Sequence, residues 1–103
     1  MNNKKYKIRV ILNKKGNMRY FSQLDLLKII ERAMRRAQLP LYFTQGFNPH
    51  PKMSFGRALK VGREGKIEVS LYFKKDILPP LLKKTLSEQF PLGLEIVKVE
   101  KII

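Results

Sequence analysis

The chain switches repeatedly between two hydrophobic periods, and that switching narrows its possible folds more than any other feature. Tyr6, Ile8, Val10 and Leu12 alternate with Lys7 and Arg9, which predicts a half-buried strand over residues 5–13. Lys15-Gly16-Asn17 is a turn signal, and Arg19-Tyr20-Phe21 leads to Ser22. There the period changes to that of a helix. Ser22 is a good N-cap, and Asp25 places a carboxylate in the first turn, close to a capping box. Leu26, Leu27, Ile30, Ala33, Met34 and Ala37 form an apolar stripe to about Ala37, and Pro40 stops further helix.

Leu41–Thr44 reads as a short strand. Residues 45–55 read as an irregular loop, too rich in Pro and Gly for regular structure. Residues 57–61 and 66–73 predict two strands joined by the turn Gly62-Arg63-Glu64-Gly65. Pro79 or Pro80 opens a second helix to about Phe90, with Leu81, Leu82, Leu86 and Phe90 apolar. Residues 94–102 predict a last strand, whose alternation breaks at Ile96-Val97; a β-bulge there is one explanation. The order β-α-β-(β)-β-α-β predicts an α+β fold. It is the ferredoxin-like split β-α-β sandwich: an antiparallel sheet with two helices on one face and an extra hairpin strand. At 103 residues it makes a single domain over 1–103.

The residue inventory removes whole classes of chemistry. With no cysteine and one histidine, this chain has no thiolate nucleophile, iron–sulfur ligation or multi-imidazole metal site of its own. The expectation is that it carries no metal and no cofactor. No phosphate-binding glycine loop of P-loop or dinucleotide type and no nucleophile elbow occurs. No apolar run reaches the roughly 18 residues of a membrane span, and the basic start lacks the uninterrupted apolar stretch of a signal peptide. Those absences lead to the expectation of a cytoplasmic protein without membrane contact.

Charge gives the functional direction. Lys and Arg number 22 against 8 Asp and Glu, a net +14. Residues 1–63 hold 15 basic and 2 acidic residues, so nearly all the excess sits there. Such an imbalance costs self-repulsion and implies a polyanionic partner. On the first helix Lys28, Arg32, Arg35 and Arg36 recur at spacings of three and four, forming a basic ridge with Arg19 just upstream. Between Lys28 and Arg36 the one acid is Glu31, placed to pair with Arg35 at i,i+4.

The loop Gln45–Phe55 is the most specific local feature. Prolines on both sides stiffen the backbone around His50. Asn48, His50 and Lys52 there suit contacts to phosphates and base edges, as does Arg57 just beyond. Phe47 and Phe55 are expected to anchor the loop on the core, with base stacking as the alternative. An RNA-recognition-motif reading fits poorly, because strand 66–73 offers only Tyr72 on its polar face.

Residues 18–73 resemble a bacterial family known as the radical SAM-linked domain, whose function is unassigned. The resemblance rests on Arg19-Tyr20-Phe21-Ser22-Gln23-Leu24-Asp25-Leu26, Arg32-Ala33-Met34-Arg35-Arg36-Ala37, Leu39-Pro40, the loop Gln45–Phe55 and Leu59-Lys60-Val61-Gly62. Members are often fused to, or encoded beside, a radical SAM protein with a cobalamin-binding-like region, near genes for ribosomal proteins and a ribonuclease. The resemblance implies a helper domain in an RNA-linked setting with a radical SAM protein as partner. Gln23 stands where the family usually has His, which argues against a two-histidine mechanism. Relative to most members the chain ends early, so it is expected to be the N-terminal half of a longer form or a short one.

Together these features lead to the expectation of an accessory RNA-binding module assisting a radical SAM enzyme, inactive on its own. The alternatives are a domain that docks on that partner, and a metal-independent RNA-cleaving domain using His50 as general acid/base.

Overall fold

The computed structural model describes residues 4–56 and 64–102. Alternation in the first segment produces β1, Tyr6–Lys14, which turns Ile8, Val10 and Leu12 inward and Lys7, Arg9, Ile11 and Asn13 outward. β3, Gly65–Phe73, pairs antiparallel with β1 along its whole length, with Val10 opposite Val69 and Ile8 opposite Leu71. β4, Leu94–Lys101, takes the other side of β1, and β2, Met53–Phe55, takes the outer side of β3. The resulting order, β2-β3-β1-β4, is entirely antiparallel. It is the ferredoxin-like split β-α-β arrangement that the alternating periods predict.

Helix α1, Gln23–Arg36, begins at Ser22 as expected. The Ser22 hydroxyl accepts from the Asp25 amide at 3.1 Å, and the Asp25 carboxylate accepts from the Ser22 amide at 3.0 Å. These bonds hold the Asp25 pKa below the ordinary aspartate value, the backbone bond being the larger cause. Helix α2, Pro79–Ser87, is shorter than the sequence suggests: the chain leaves the helix before Phe90, and Leu81 lies exposed. Leu26, Ile30, Ala33 and Met34 of α1 and Leu82 and Leu86 of α2 join one core cluster with the inward residues of β1, β3 and β4. Both helices therefore cover the same face of the sheet, and the other face carries no helix among the described residues.

Two expectations about the middle of the chain need revision. The edge strand beside β3 is split. Leu41 bridges Phe73, whereas residues 53–55, expected as loop, form β2 opposite Val69–Leu71. Met53 and Phe55 lean on the core, and that packing organises a segment too short to show periodicity. The extra strand expected at 57–61 and its hairpin turn lie largely outside the described residues. At the other border, the broken alternation at Ile96-Val97 is a bulge: Ile11 pairs with Lys98 and Leu12 with Ile96, leaving Val97 unmatched. The turn signal Lys15-Gly16-Asn17 opens a short 3-10 helix, Gly16–Tyr20.

Lys14, the last residue of β1, points inward and is 1% exposed. Its ammonium donates to the Phe21 carbonyl at 3.2 Å, and burial pushes its pKa below the ordinary lysine value of 10.5. The folded state holds this proton less tightly than the unfolded chain does. Wild-type stability should therefore rise with pH between the lowered folded value and 10.5. Lys14→Met keeps the stem and deletes the charge, so the melting temperature should rise at pH 7, with a gain that shrinks towards pH 10. A lower melting temperature at pH 7 would mean that the bond to Phe21 outweighs the cost of burial.

Candidate nucleic-acid interface

Because α1 spends its apolar stripe on the core, its cations are left on the solvent side. Lys28, Arg32, Arg35 and Arg36 are all exposed. They do not act as one row. The Arg35 guanidinium lies 3.9 Å from Glu31 and 5.6 Å from the Phe43 ring centre, so it leans towards the segment after α1. Arg32 and Arg36 lean the other way, into a groove of about 430 Å³ between α1 and the chain that follows α2. Phe21, Phe90, Met18, Ile29 and Pro91 line it with Gln89. Lys28, Arg32 and Arg36 make no salt bridge among the described residues, whereas Glu31, Glu64, Glu68, Asp76, Glu95 and Glu100 all do. Two fork-shaped cations beside two phenyl rings form a concave site for a planar group carrying phosphate or carboxylate.

The His50 segment is a hairpin arm that splits the edge strand. The Thr44 amide donates to the His50 carbonyl at 2.8 Å, and the His50 amide donates to the Thr44 hydroxyl at 3.1 Å. A bridge between Phe43 and Pro51 lies just behind. These contacts present residues 45–49 as an exposed tip, with Gly46 at φ +124, a conformation that favours glycine. Phe55 packs against the core as expected, but Phe47 does not: it is fully exposed at the tip beside exposed Asn48. His50 lines a hollow against α1 that also includes Leu24, Lys28 and Glu31.

The other candidates are dispersed. Arg19 donates to the Tyr20 hydroxyl at 2.7 Å and reaches Glu64 at 3.6 Å. Arg57 lies outside the described residues. Lys52 is on the far side of the sheet from α1, its ammonium 5.2 Å from the Tyr72 ring centre. Lys28 and His50 thus share a hollow, Arg32 and Arg36 share a groove, and Arg19 and Lys52 belong to neither.

The open sheet face holds what the sequence does not reveal. At its centre Arg9 bridges Glu68 at 2.9 Å and Glu100 at 3.3 Å, and Lys98 reaches Glu100 at 2.6 Å. The hydrogen bond to Glu68 raises the Arg9 pKa, and the one from Lys98 lowers that of Glu100. Towards the start of β1, Tyr42 joins Tyr72, its amide donating to the Tyr72 carbonyl at 3.1 Å. Lys5 lies 5.5 Å from the Tyr42 ring, and Lys7 lies 5.9 Å from the Tyr72 ring. Tyr42 arrives there through the split edge, a tertiary pairing that no local pattern announces.

Among the described residues no helix is long and apolar enough to cross a membrane, and no three His, Asp or Glu side chains cluster as a metal site would require. In comparisons with known proteins, a family model described as an uncharacterized protein conserved in bacteria (DUF2344) matches residues 7–103. No curated protein and no solved structure matches.

Proposed function

The chain belongs to that bacterial family, DUF2344, and we propose that it is an accessory RNA-binding module. The observation that carries this reading is the groove between α1 and the chain after α2, where Arg32 and Arg36, without salt-bridge partners among the described residues, stand beside Phe21 and Phe90. A phosphate held by the two guanidinium groups would leave its nucleoside over the apolar floor. Lys28 and Arg35 extend the positive surface towards the arm, where Asn48 and His50 are exposed to base edges. The resemblance of residues 18–73 supports a finer proposal, that the RNA is presented to a radical SAM enzyme. The cluster of such an enzyme would be held by the partner, since this chain has no cysteine.

Filter-binding titrations across a salt series test the reading. Wild type should bind RNA with a steep salt slope. Arg32→Ala with Arg36→Ala should weaken binding to all RNAs and flatten the slope by about 1.4–1.8 units, somewhat under one per lost phosphate contact. His50→Ala should change the preference among RNAs and leave the slope nearly unaltered. Absence of RNA binding at low salt, with capture of an acidic partner protein instead, would replace RNA binding by docking.

One observation favours a second reading. His50 lines the same hollow as Lys28 and Glu31, so an acid/base group and a cation flank one cavity. Cleavage of RNA without added metal, lost in His50→Ala, would make this a nuclease site.

A further inference from the structure

We infer that the open sheet face, at the end where β1 begins and β3 ends, is a second nucleic-acid surface that stacks and grips single-stranded RNA. This inference rests on the RNA reading above but uses none of the groove residues. Three observations converge on it. The face carries two half-buried aromatic rings, Tyr42 and Tyr72, joined through adjacent backbones. Each ring carries a cation: Lys5 over Tyr42, and both Lys7 and Lys52 over Tyr72 at 5.9 and 5.2 Å. None of these three lysines makes a salt bridge among the described residues, whereas Arg9 and Lys98 are tied to Glu68 and Glu100. Free lysines therefore gather at the aromatic end, with Lys66 at the opposite end of β3 as a further lysine of this face that makes no salt bridge among the described residues.

Shape agrees with charge. Next to Tyr72 along the same face, Ser70 lies opposite Ser54 of β2, so small hydroxyl side chains border the ring. A base can then lie on Tyr72 while Lys7 and Lys52 swing from the ring to the phosphates on either side. Stacking is tolerant of sequence because every base has a π face. An acidic protein would satisfy the lysines but make little use of the rings, which is why single-stranded RNA is the occupant argued for.

The chain has four tyrosines and no tryptophan, so emission comes from tyrosine alone and the change lost in Tyr72 variants isolates the part that reports on this face. The 103-residue chain is titrated with decauridylate, following both affinity and emission, with circular dichroism verifying the fold of each variant. Tyr72→Ala should lower affinity about 5- to 150-fold, the range for loss of one stacked base. Tyr72→Phe should retain wild-type affinity while losing much of the quenching that accompanies binding. Lys7→Ala with Lys52→Ala should flatten the salt slope by about 1.4 units. If Tyr72→Ala binds within twofold of wild type while Arg32→Ala with Arg36→Ala still weakens binding, the sheet-face inference fails and the RNA reading stands. If wild type binds no decauridylate at low salt, both fail. If polyglutamate competes as strongly as unlabelled decauridylate, the face is a docking surface for acidic protein and the inference is overturned.

Discussion

Phe73→Ala should lower unfolding free energy by about 3–5 kcal/mol, the usual cost of removing a fully buried phenyl ring. Phe73 is 0% exposed and closes the inner face at the end of β3. Tyr6 of β1 lies opposite it on one side, and Leu41 bridges it on the other. The ring therefore sits where the split edge strand is attached, and shrinking it loosens Leu41 and the root of the hairpin arm together. For a chain of this size the loss corresponds to a fall in melting temperature on the order of 15–30 °C. Urea denaturation of wild type and variant checks it, with the denaturant slope expected to stay nearly constant. A loss below about 1 kcal/mol would mean that neighbouring side chains collapse into the space and that the arm is not anchored through this ring.

Gly93→Ala should be nearly as damaging, for a different reason. Gly93 has φ +94, and an added Cβ would lie 2.7 Å from the Lys15 carbonyl oxygen and 2.7 Å from Met18 Cγ. The backbone cannot simply move away, because the Lys15 amide donates to the Gly93 carbonyl at 2.9 Å. Backbone strain alone costs about 1–3 kcal/mol, and the clash adds to it. Gly16→Ala is the control. It too has positive φ, +63, but its new Cβ would meet nothing within 4 Å, so it should cost distinctly less. Thermal melts of the two variants test the difference. Because Met18 also lines the Arg32–Arg36 groove, Gly93→Ala should weaken RNA binding even well below its melting temperature. Gly16→Ala should leave binding unaltered.

Elements with a long period were legible before folding. β1, β3 and α1 run 9, 9 and 14 residues, enough for their apolar residues to declare a face. The Ser22–Asp25 cap and the irregularity at Val97 were likewise written locally. Where the reading fell short, the deciding contacts are distant in sequence. Three residues cannot display a period, so β2 is made by β3 and the core rather than by its own pattern. Lys14 looks like a solvent-facing lysine, yet strand alternation carries it inward to a carbonyl seven residues away. The candidate site divides in the same manner. Helical spacing brought Lys28, Arg32, Arg35 and Arg36 to the solvent side of α1. Their separation into a groove and a hollow depends on what packs beside the helix. Phe47 was expected to be an anchor because aromatics usually bury, and the arm instead holds it in solvent.

An open sheet ends in backbone groups that have no partner, and β4 forms such a border. A copy of the chain that tried to extend the sheet there would need an uninterrupted, regular strand to copy. At Val97 the border offers none. Leu94–Ile96 lie on one side of the irregularity and Lys98–Lys101 on the other, so a newcomer in register with one half is out of register with the second. The extra residue that lets Ile96 and Val99 both lean on the core thereby also guards the molecule against polymerising into longer sheets at this edge.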